Sequence, residues 1–372
     1  MKRIILFGGS FNPIHFGHLH MAKAAYEAVE ADEVIFIPAK KPRWKEAPER
    51  DEDRLAMLKL ALKAYPYFHL SLLEMEDEDG GHYTIETVKK LVKQYKEQQE
   101  EVKLYYLIGE DQLERLHEWH EIDELMNLVQ FLSYGRNDEE WSSKADFNAS
   151  IYHVIQIKGK TSYTSSTAIR ELQSIDTPKA VLRYIMEKKL YRYGEVFSFM
   201  NEKRYIHSCS VALLAYQIAK KNHYRPFEAF LAGLLHDIGK TMEKEEAGRK
   251  IMEEHYPHEL DLPIWSYHQF IGAYLAKTIF GVQDQEIVSA IEYHCTGKEK
   301  MTRLGKIIYA SDKIDPKRGY DSKYMIDACL QDDEEGFRFV LKENKKFLES
   351  KSKEIHNRYS DACFTYYLKE RE

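Results

Sequence analysis

Apolar and polar positions repeat with two different periods along this chain, and the change falls near residue 190. Residues 2–7 form an apolar run that ends in Gly8-Gly9, the profile of a strand buried on both faces of a parallel sheet. Leu19, Ala22, Tyr26 and Val29 then recur at helical spacing. Residues 34–37, stopped by Pro38, predict a second strand, residues 55–64 a helix and residues 68–73 a third strand. Residues 84–95 carry Ile85, Val88, Leu91 and Val92 on one helical stripe, and residues 104–108 predict a strand that ends at Gly109. Residues 129–134 and 152–157 predict two more strands. Strands interleaved with helices predict an α/β doubly wound parallel sheet over residues 1–191. From Glu202 onward the period is helical, through Val211, Leu214, Ala215 and Ile218, then Phe230, Leu234 and Leu235, then Ile287, Ile291 and His294. An all-α domain is therefore expected over residues 196–372, joined loosely at 190–200 without a Gly/Ser/Pro-rich linker.

Length and composition agree with two ordinary domains. The chain has 372 residues, 44% hydrophobic and 31% charged, which argues against wholesale disorder. No stretch approaches the roughly 18 uncharged apolar residues of a transmembrane helix. The apolar run after Met1 is too short for a signal segment, so a cytoplasmic protein without membrane contact is expected. Four cysteines without a CxxC pair predict free thiols rather than a disulfide scaffold or a cysteine-zinc site. Residues 1–195 hold 27 Lys and Arg against 33 Asp and Glu, and the rest holds 27 against 28, so neither half is basic. No nucleic-acid partner is expected, although a local anion pocket fits this balance. Oligomeric state stays open.

The first candidate chemistry follows the opening strand, in Gly8-Gly9-Ser10-Phe11-Asn12-Pro13-Ile14-His15-Phe16-Gly17-His18-Leu19. A glycine pair lets the backbone approach a ligand closely, and the helix start just beyond presents free N–H groups to an anion. His15 and His18, three apart, share a face of that helix start, where two imidazoles can donate to phosphate oxygens. The spacing is neither the GxGxxG fingerprint nor the P-loop.

This stretch closely resembles the signature of the HxGH nucleotidyltransferase superfamily. Further segments resemble bacterial nicotinate-mononucleotide adenylyltransferases of the NadD type. They are Tyr83-Thr84-Ile85-Glu86-Thr87, Leu107-Ile108-Gly109-Glu110-Asp111 followed by Trp119-His120, Thr164-Ser165-Ser166-Thr167-Ala168-Ile169-Arg170, and a helix carrying Val181, Tyr184-Ile185 and Leu190-Tyr191. The chain departs from that family at Pro42-Arg43-Trp44-Lys45, where Lys45 is kept and Trp44 replaces a histidine. It departs again at Tyr134-Gly135-Arg136-Asn137, where the family has a valine-rich run into Arg-Pro-Gly. The resemblance implies ATP and nicotinate mononucleotide as substrates, with Mg²⁺ on the phosphates and no covalent enzyme intermediate. It implies catalytic roles for His15, His18, Lys45 and Arg170, and substrate contacts from Gly8, Gly9, Ser10, Phe11, Thr84, Gly109, Asp111, Trp119, Arg136, Ser165 and Ser166. Serines at a helix start and a forked guanidinium suit phosphate, a strand-end Asp suits a ribose hydroxyl, and an indole suits a pyridine ring.

The second candidate chemistry lies in the helical half. His236-Asp237, within Leu234-Leu235-His236-Asp237-Ile238-Gly239-Lys240, is an adjacent polar pair in an apolar context, costly to bury unless something binds it. Imidazole and carboxylate suit iron, manganese or zinc, and one Asp can bridge two ions. His207, His268, His294 and Asp312 lie on separate helical segments and can join that pair only inside a bundle. His223, His255 and His258 read as ordinary core or surface residues. Tyr205-Ile206-His207-Ser208, Ala232-Gly233-Leu234-Leu235-His236-Asp237, Gly272-Ala273-Tyr274-Leu275, Ala290-Ile291-Glu292-Tyr293-His294-Cys295-Thr296-Gly297 and Ile307-Ile308-Tyr309-Ala310-Ser311-Asp312-Lys313-Ile314-Asp315-Pro316 resemble the HD-domain superfamily of metal-dependent phosphohydrolases. Within it they are most similar to the YqeK family, which cleaves diadenosine tetraphosphate symmetrically into two ADP. The resemblance implies two divalent metals, iron or manganese, held by His207, His236, Asp237, His268, His294 and Asp312. It also implies a catalytic Lys240, one helical turn past His236 if the helix continues, and substrate contacts from Thr296, Gly297 and Arg318. Cys295 replaces a family threonine and reads as a small buried residue.

Two enzymes on one chain is the expected organisation. Two alternatives stay open: another acceptor for the first half, such as nicotinamide mononucleotide or a phosphopantetheine, and a non-hydrolytic, metal-bound nucleotide sensor for the second.

Overall fold

The computed structural model describes residues 1–40, 50–76, 83–135, 142–157, 164–350 and 356–369. The chain separates into two units, Met1–Tyr191 and Arg192–Glu372. Residues 192–195, expected to fall between the domains, open the helix Arg192–Ser198 of the second unit.

In the first unit six strands form one parallel sheet: β1 (Lys2–Gly9), β2 (Glu33–Pro38), β3 (Phe68–Leu70), β4 (Val102–Gly109), β5 (Gln130–Tyr134) and β6 (Ile155–Ile157). Their order is β3-β2-β1-β4-β5-β6, so the winding reverses between β1 and β4. Successive residues fill opposite faces. Ile4, Leu6, Ile35, Ile37, Leu104, Tyr106 and Ile108 join Ile85, Val88 and Leu91 of the helix Thr84–Glu97 in one core, while Ile5, Phe7, Phe36 and Leu107 are buried opposite. β3 and β6 are shorter than their apolar runs predict: the chain turns after Leu72, and Tyr152 caps the helix Ser143–Ile151. Both are edge strands with one bonded neighbour, where pairing extends least. β1 and β4 pair only as far as Leu6 opposite Tyr106, and each then runs on to its own glycine, Gly9 and Gly109. A crevice at the switch point follows from that parting.

Among its described residues the second unit contains helices and no strand. Glu202–Lys221 carries His207, Pro226–Leu235 leads into His236-Asp237, Tyr267–Thr278 carries His268, Gln285–Glu292 leads to His294, and Arg303–Lys313 carries Asp312. Side-chain caps at Asn201, Asp284 and Thr302 fix three of these helix starts, and so the turn on which each ligand falls. A Cβ on Gly239 would strike the His268 carbonyl and lie 2.6 Å from the Gly272 nitrogen. The chain after His236-Asp237 is therefore pressed backbone to backbone on Tyr267–Thr278, an approach open only to glycine. The last helices, Asp333–Ser350 and Arg358–Leu368, pack Phe337, Leu341, Phe364 and Tyr367 around Tyr309. Among the described residues no helix is long and apolar enough to cross a membrane.

Candidate active sites

The first site forms at the C-terminal end of β1. His15 caps the helix Phe16–Ala28, and its backbone N–H donates to His18 Nδ1 at 3.3 Å, with the ring centroids 3.8 Å apart. Burial, and then the His15 ring, hold the His18 imidazole well below its usual range. A neutral ring whose Nδ1 accepts carries its proton on Nε2, so His18 has a donor to offer a phosphate oxygen.

The loop before these histidines is gripped from far along the chain. Arg170 Nη1 donates to the Asn12 carbonyl at 2.7 Å, Ser166 Oγ to that of Pro13 at 2.9 Å and Thr177 Oγ1 to that of Ile14 at 2.8 Å. Arg170 and Ser166, expected to meet phosphate, thus also shape the loop, and Ser165 caps the turn that carries them by accepting from the Ala168 N–H. Arg54, 1% exposed, donates to the carbonyls of Ser10 and Ala39, each at 2.7 Å, and pairs with Asp51 at 2.5 Å. Sequence reasoning misses Arg54. Its one signal is its place on the buried stripe with Met57, Leu58 and Ala61.

The Phe11 ring is core, 5.4 Å from Phe7 and 5.2 Å from His18, so it is the Phe11 backbone that can face a ligand. A side chain on Gly8 would strike the Tyr106 hydroxyl, which also bonds Thr84. Asp111 is exposed beside Gly109 across the switch point. Trp119 packs edge-on to Tyr106 at 5.8 Å and to Phe131 at 6.0 Å, half-buried at the rim of the core. Lys45 and Arg136, with Pro42-Arg43-Trp44 and Asn137, lie outside the described residues.

The second site brings all six expected ligands together. Each histidine engages Nδ1 on its outer side: His236 on the Gly233 carbonyl at 2.7 Å, His268 on that of Trp265 at 2.8 Å, His294 on that of Ile291 at 2.8 Å and His207 on Asp315 Oδ2 at 2.6 Å. An Nδ1–H donated outward leaves the Nε2 lone pairs for the interior. His268 Nε2 and His294 Nε2 lie 3.2 Å apart, and His207 Nε2 is 3.0 Å from Asp312 Oδ1. Asp237 Oδ2 is 3.4 Å from His236 Nε2, while its Oδ1 is 3.5 Å from His268 Nε2 and 3.7 Å from His294 Nε2. One carboxylate thus faces two imidazole pairs, and with each pair its donor atoms lie within 4.8 Å of one another. His236 Nε2 is buried and makes no well-formed hydrogen bond among the described residues, with Asp237 Oδ2 at 3.4 Å and Asp312 Oδ1 at 3.7 Å. Neutral imidazoles and shared carboxylates around such an atom fit a pair of borderline divalent cations.

Charge in this cluster is tightly coupled. Burial opposes the His236 imidazolium, but Asp237 and Asp312 outweigh it and push the ring up to about 10. Burial drives the His294 ring down to about 3. Asp237 and Asp312 resist burial and stay well below the usual carboxylate range, the first through His236, the second through Lys313 and Arg318.

Basic side chains surround it. Arg318 donates to the Asp312 carboxylate and, at 2.6 Å, to its carbonyl, and Arg204, not expected from the sequence, reaches Asp237 Oδ2 at 2.5 Å. Lys203, Arg204, His207, Lys317 and Arg318 border a cleft of about 760 Å³, a cationic wall suited to polyphosphate. The helix expected to carry Lys240 stops at Leu235, because the contact at Gly239 turns the chain. Lys240 lies behind the cluster: Nζ is 3.3 Å from His268 Nδ1, on that ring's outer side, and donates to Glu243 Oε2 at 2.8 Å. Thr296 and Gly297, expected at the substrate, are enclosed. The Thr296 hydroxyl bonds Gln269 and the Gly297 carbonyl, and Gly297, at φ +68, backs onto Cys363. They brace the His294 loop, which the last helix holds through Ser360 Oγ on the Thr296 carbonyl at 3.1 Å. Cys295 is half-buried, its amide donating to Gln269 Oε1 at 3.2 Å.

Comparison with known proteins divides the chain in the same way. A cytidylyltransferase-like family model matches residues 6–172 and an HD-domain model matches residues 204–317. A crystal structure described as that of a predicted HD superfamily hydrolase involved in NAD metabolism, from Clostridium acetobutylicum, is 28% identical, covers 47% of this chain and 96% of its own, and has a TM-score of 0.41. A nicotinate-nucleotide adenylyltransferase of Bacillus subtilis is 41% identical over 138 residues, 37% of this chain and 70% of that one. A Mycoplasma genitalium protein named probable nicotinate-nucleotide adenylyltransferase/Ap4A hydrolase is 31% identical over 323 residues, 85% of this chain and 88% of that one. With a homologue of that identity along nearly its whole length, the chain belongs to the bifunctional family that fuses a nicotinate-nucleotide adenylyltransferase to an HD-domain hydrolase.

Proposed function

We propose that the first half transfers AMP from ATP to nicotinate mononucleotide, and that the second half splits diadenosine tetraphosphate into two ADP at a two-metal centre. In the first reaction the mononucleotide phosphate attacks the α-phosphorus of ATP, the bond to the β-phosphate oxygen breaks, and pyrophosphate departs with the electron pair. Mg²⁺ carried with ATP supplies charge neutralisation on the phosphates. The Nε2–H of His18, the His15 imidazole, and the Lys45 and Arg170 side chains meet the charge that builds on the α-phosphate, with the loop held by Arg54. Asp111 and Trp119 would take the acceptor's ribose and ring.

In the second reaction water adds to one central phosphorus, the central anhydride bond breaks, and the departing ADP takes up a proton. His207, His236, Asp237, His268, His294 and Asp312 would hold two divalent cations, iron or manganese, which would supply polarisation of the phosphoryl group and a more acidic water. Lys240, steadied by Glu243, supplies a proton to the leaving oxygen, and Arg318 and Arg204 hold phosphate. The observation that carries this reading is the Asp237 carboxylate divided between two inward-facing imidazole pairs.

The test is one assay of the manganese- or iron-loaded chain with ATP, nicotinate mononucleotide and diadenosine tetraphosphate, resolved by chromatography. Deamido-NAD with pyrophosphate, and two ADP per dinucleotide, are expected. Asp237→Ala should lose the ADP and keep the deamido-NAD. AMP and ATP in place of ADP overturn symmetrical cleavage. Intact dinucleotide bound to metal-loaded protein overturns hydrolysis in favour of sensing. Faster turnover of nicotinamide mononucleotide overturns the acceptor.

A further inference from the structure

Three of the four cluster imidazoles have a backbone carbonyl as their close outer partner, and His207 alone has a carboxylate there, at 2.6 Å; His268 Nδ1 also faces Glu243 Oε2, but at 3.4 Å and with that carboxylate held by Lys240 at 2.8 Å. That carboxylate, Asp315, is 0% exposed and held at both oxygens. Oδ2 takes the His207 Nδ1–H at 2.6 Å, and Oδ1 accepts from Ser210 Oγ at 2.5 Å and from the Lys317 N–H at 3.1 Å. Such a residue cannot swing inward to become a ligand, because every direction it could leave is already bonded. A buried carboxylate behind an imidazole fixes the ring's tautomer and angle and raises the basicity of the opposite nitrogen. Carbonyls behind His236 and His294 orient those rings without a formal charge, and the carboxylate behind His268, Glu243, is farther off and paired with Lys240.

The two sides of the cluster differ accordingly. One has His207, His236, one oxygen of Asp237 and Asp312, and the other has His268, His294 and the second oxygen of Asp237. Arg204, Arg318 and Lys313 bond the carboxylates of the first side and temper their charge, which leaves the His207–Asp315 pair as its distinguishing feature. We infer that Asp315 is a positioning residue that makes the two cation positions unequal, the His207–His236 position binding its ion more tightly than the His268–His294 position. The inference rests on the reading of the cluster as a two-cation centre.

The experiment is equilibrium dialysis of the full chain, stripped with EDTA and titrated with Mn²⁺, with protein-bound manganese counted. The wild type should take up two equivalents in separable steps. Asp315→Asn keeps the shape and an acceptor for His207 but not the charge, and should weaken the tighter step roughly 10–100-fold while moving the weaker step little. His207→Ala should abolish the tighter step and His268→Ala the weaker one, which decides the matter if Asp315→Asn does not fold. Fewer than two equivalents in the wild type overturn both the two-cation reading and this inference. Two equivalents whose tighter step survives Asp315→Asn unchanged, or survives His207→Ala, overturn this inference alone.

Discussion

At the scale of single residues, buried charge is the informative feature in both halves. Arg54 is enclosed yet spends its guanidinium on carbonyls of two separate loops, Ser10 after β1 and Ala39 after β2, and on Asp51. It fixes the backbone that leads to His15. Arg54→Met matches its length but leaves at least two carbonyls without donors, at about 1–3 kcal/mol each where they are buried. The expected loss is on the order of 2–4 kcal/mol of stability in the first unit, carried by those carbonyls, since Asp51 is exposed enough for water to replace its partner. Urea denaturation followed by loss of adenylyl transfer should give a lower midpoint than the wild type, with diadenosine tetraphosphate hydrolysis retained at concentrations that abolish the transfer. An unchanged midpoint would mean that the loop holds its shape without the arginine.

At the scale of elements, what could be read from the sequence and what could not divide along a physical line. Strands β1, β2, β4 and β5 are central, buried on both faces, and stand out as apolar runs; edge strands β3 and β6 end early because pairing rather than hydrophobicity limits them. The six cluster residues are legible through an adjacent His-Asp pair in an apolar stretch, which has few structural uses, and through the resemblance that joins the other four to it. Arg54 and Arg204 on helices, and Glu243 and Asp315 between helices, are not, because a lone charged residue reads as solvated until the tertiary fold encloses it. The same blindness covers the clasp between helices Pro226–Leu235 and Gln285–Glu292. Arg225 bonds Asp284 and, at 2.7 Å, Glu286, while Asp284 caps the second helix and the Tyr224 hydroxyl donates to Glu286. Burial raises both carboxyls, but Arg225 with backbone amides at Asp284, and Tyr224 with Arg225 at Glu286, outweigh it and hold both below their usual values. A depressed folded-state value means stability that is fully present above the ordinary carboxylate range and lost as pH falls through the depressed values. Arg225→Ala should therefore cost about 1–2 kcal/mol at pH 7, a figure kept small because these side chains are about one-third exposed. The deficit should shrink in acid below the ordinary carboxylate range. Urea unfolding read by helical circular dichroism, with EDTA in every sample, measures both. An equal deficit at neutral and acid pH would trace the effect to lost packing instead.

At the scale of the whole molecule, two units have separate cores, and the proposed function gives their two chemistries a different dependence on metal. On that proposal the first takes its cation with ATP, so its folded state should gain nothing from free metal alone. The second collects imidazoles and carboxylates from five helical segments around one point, and a cation there binds the folded unit and not the unfolded chain. Such binding stabilises by about 2.7 kcal/mol when free metal stands at a hundred times its dissociation constant. In a domain of this size each kcal/mol moves the melting temperature by roughly 2–4 °C. Calorimetry of the manganese-loaded chain should resolve two transitions, and excess EDTA should lower one of them by about 5–10 °C while leaving the other in place. Adding ATP with Mg²⁺ in place of manganese should raise the other. The sheet unit's transition can be assigned independently, because it is the one that Arg54→Met lowers. EDTA moving that transition, or moving neither, would remove metal from the account of how the helical unit is held together, and would leave the buried His236 nitrogen without the cation that its surroundings call for.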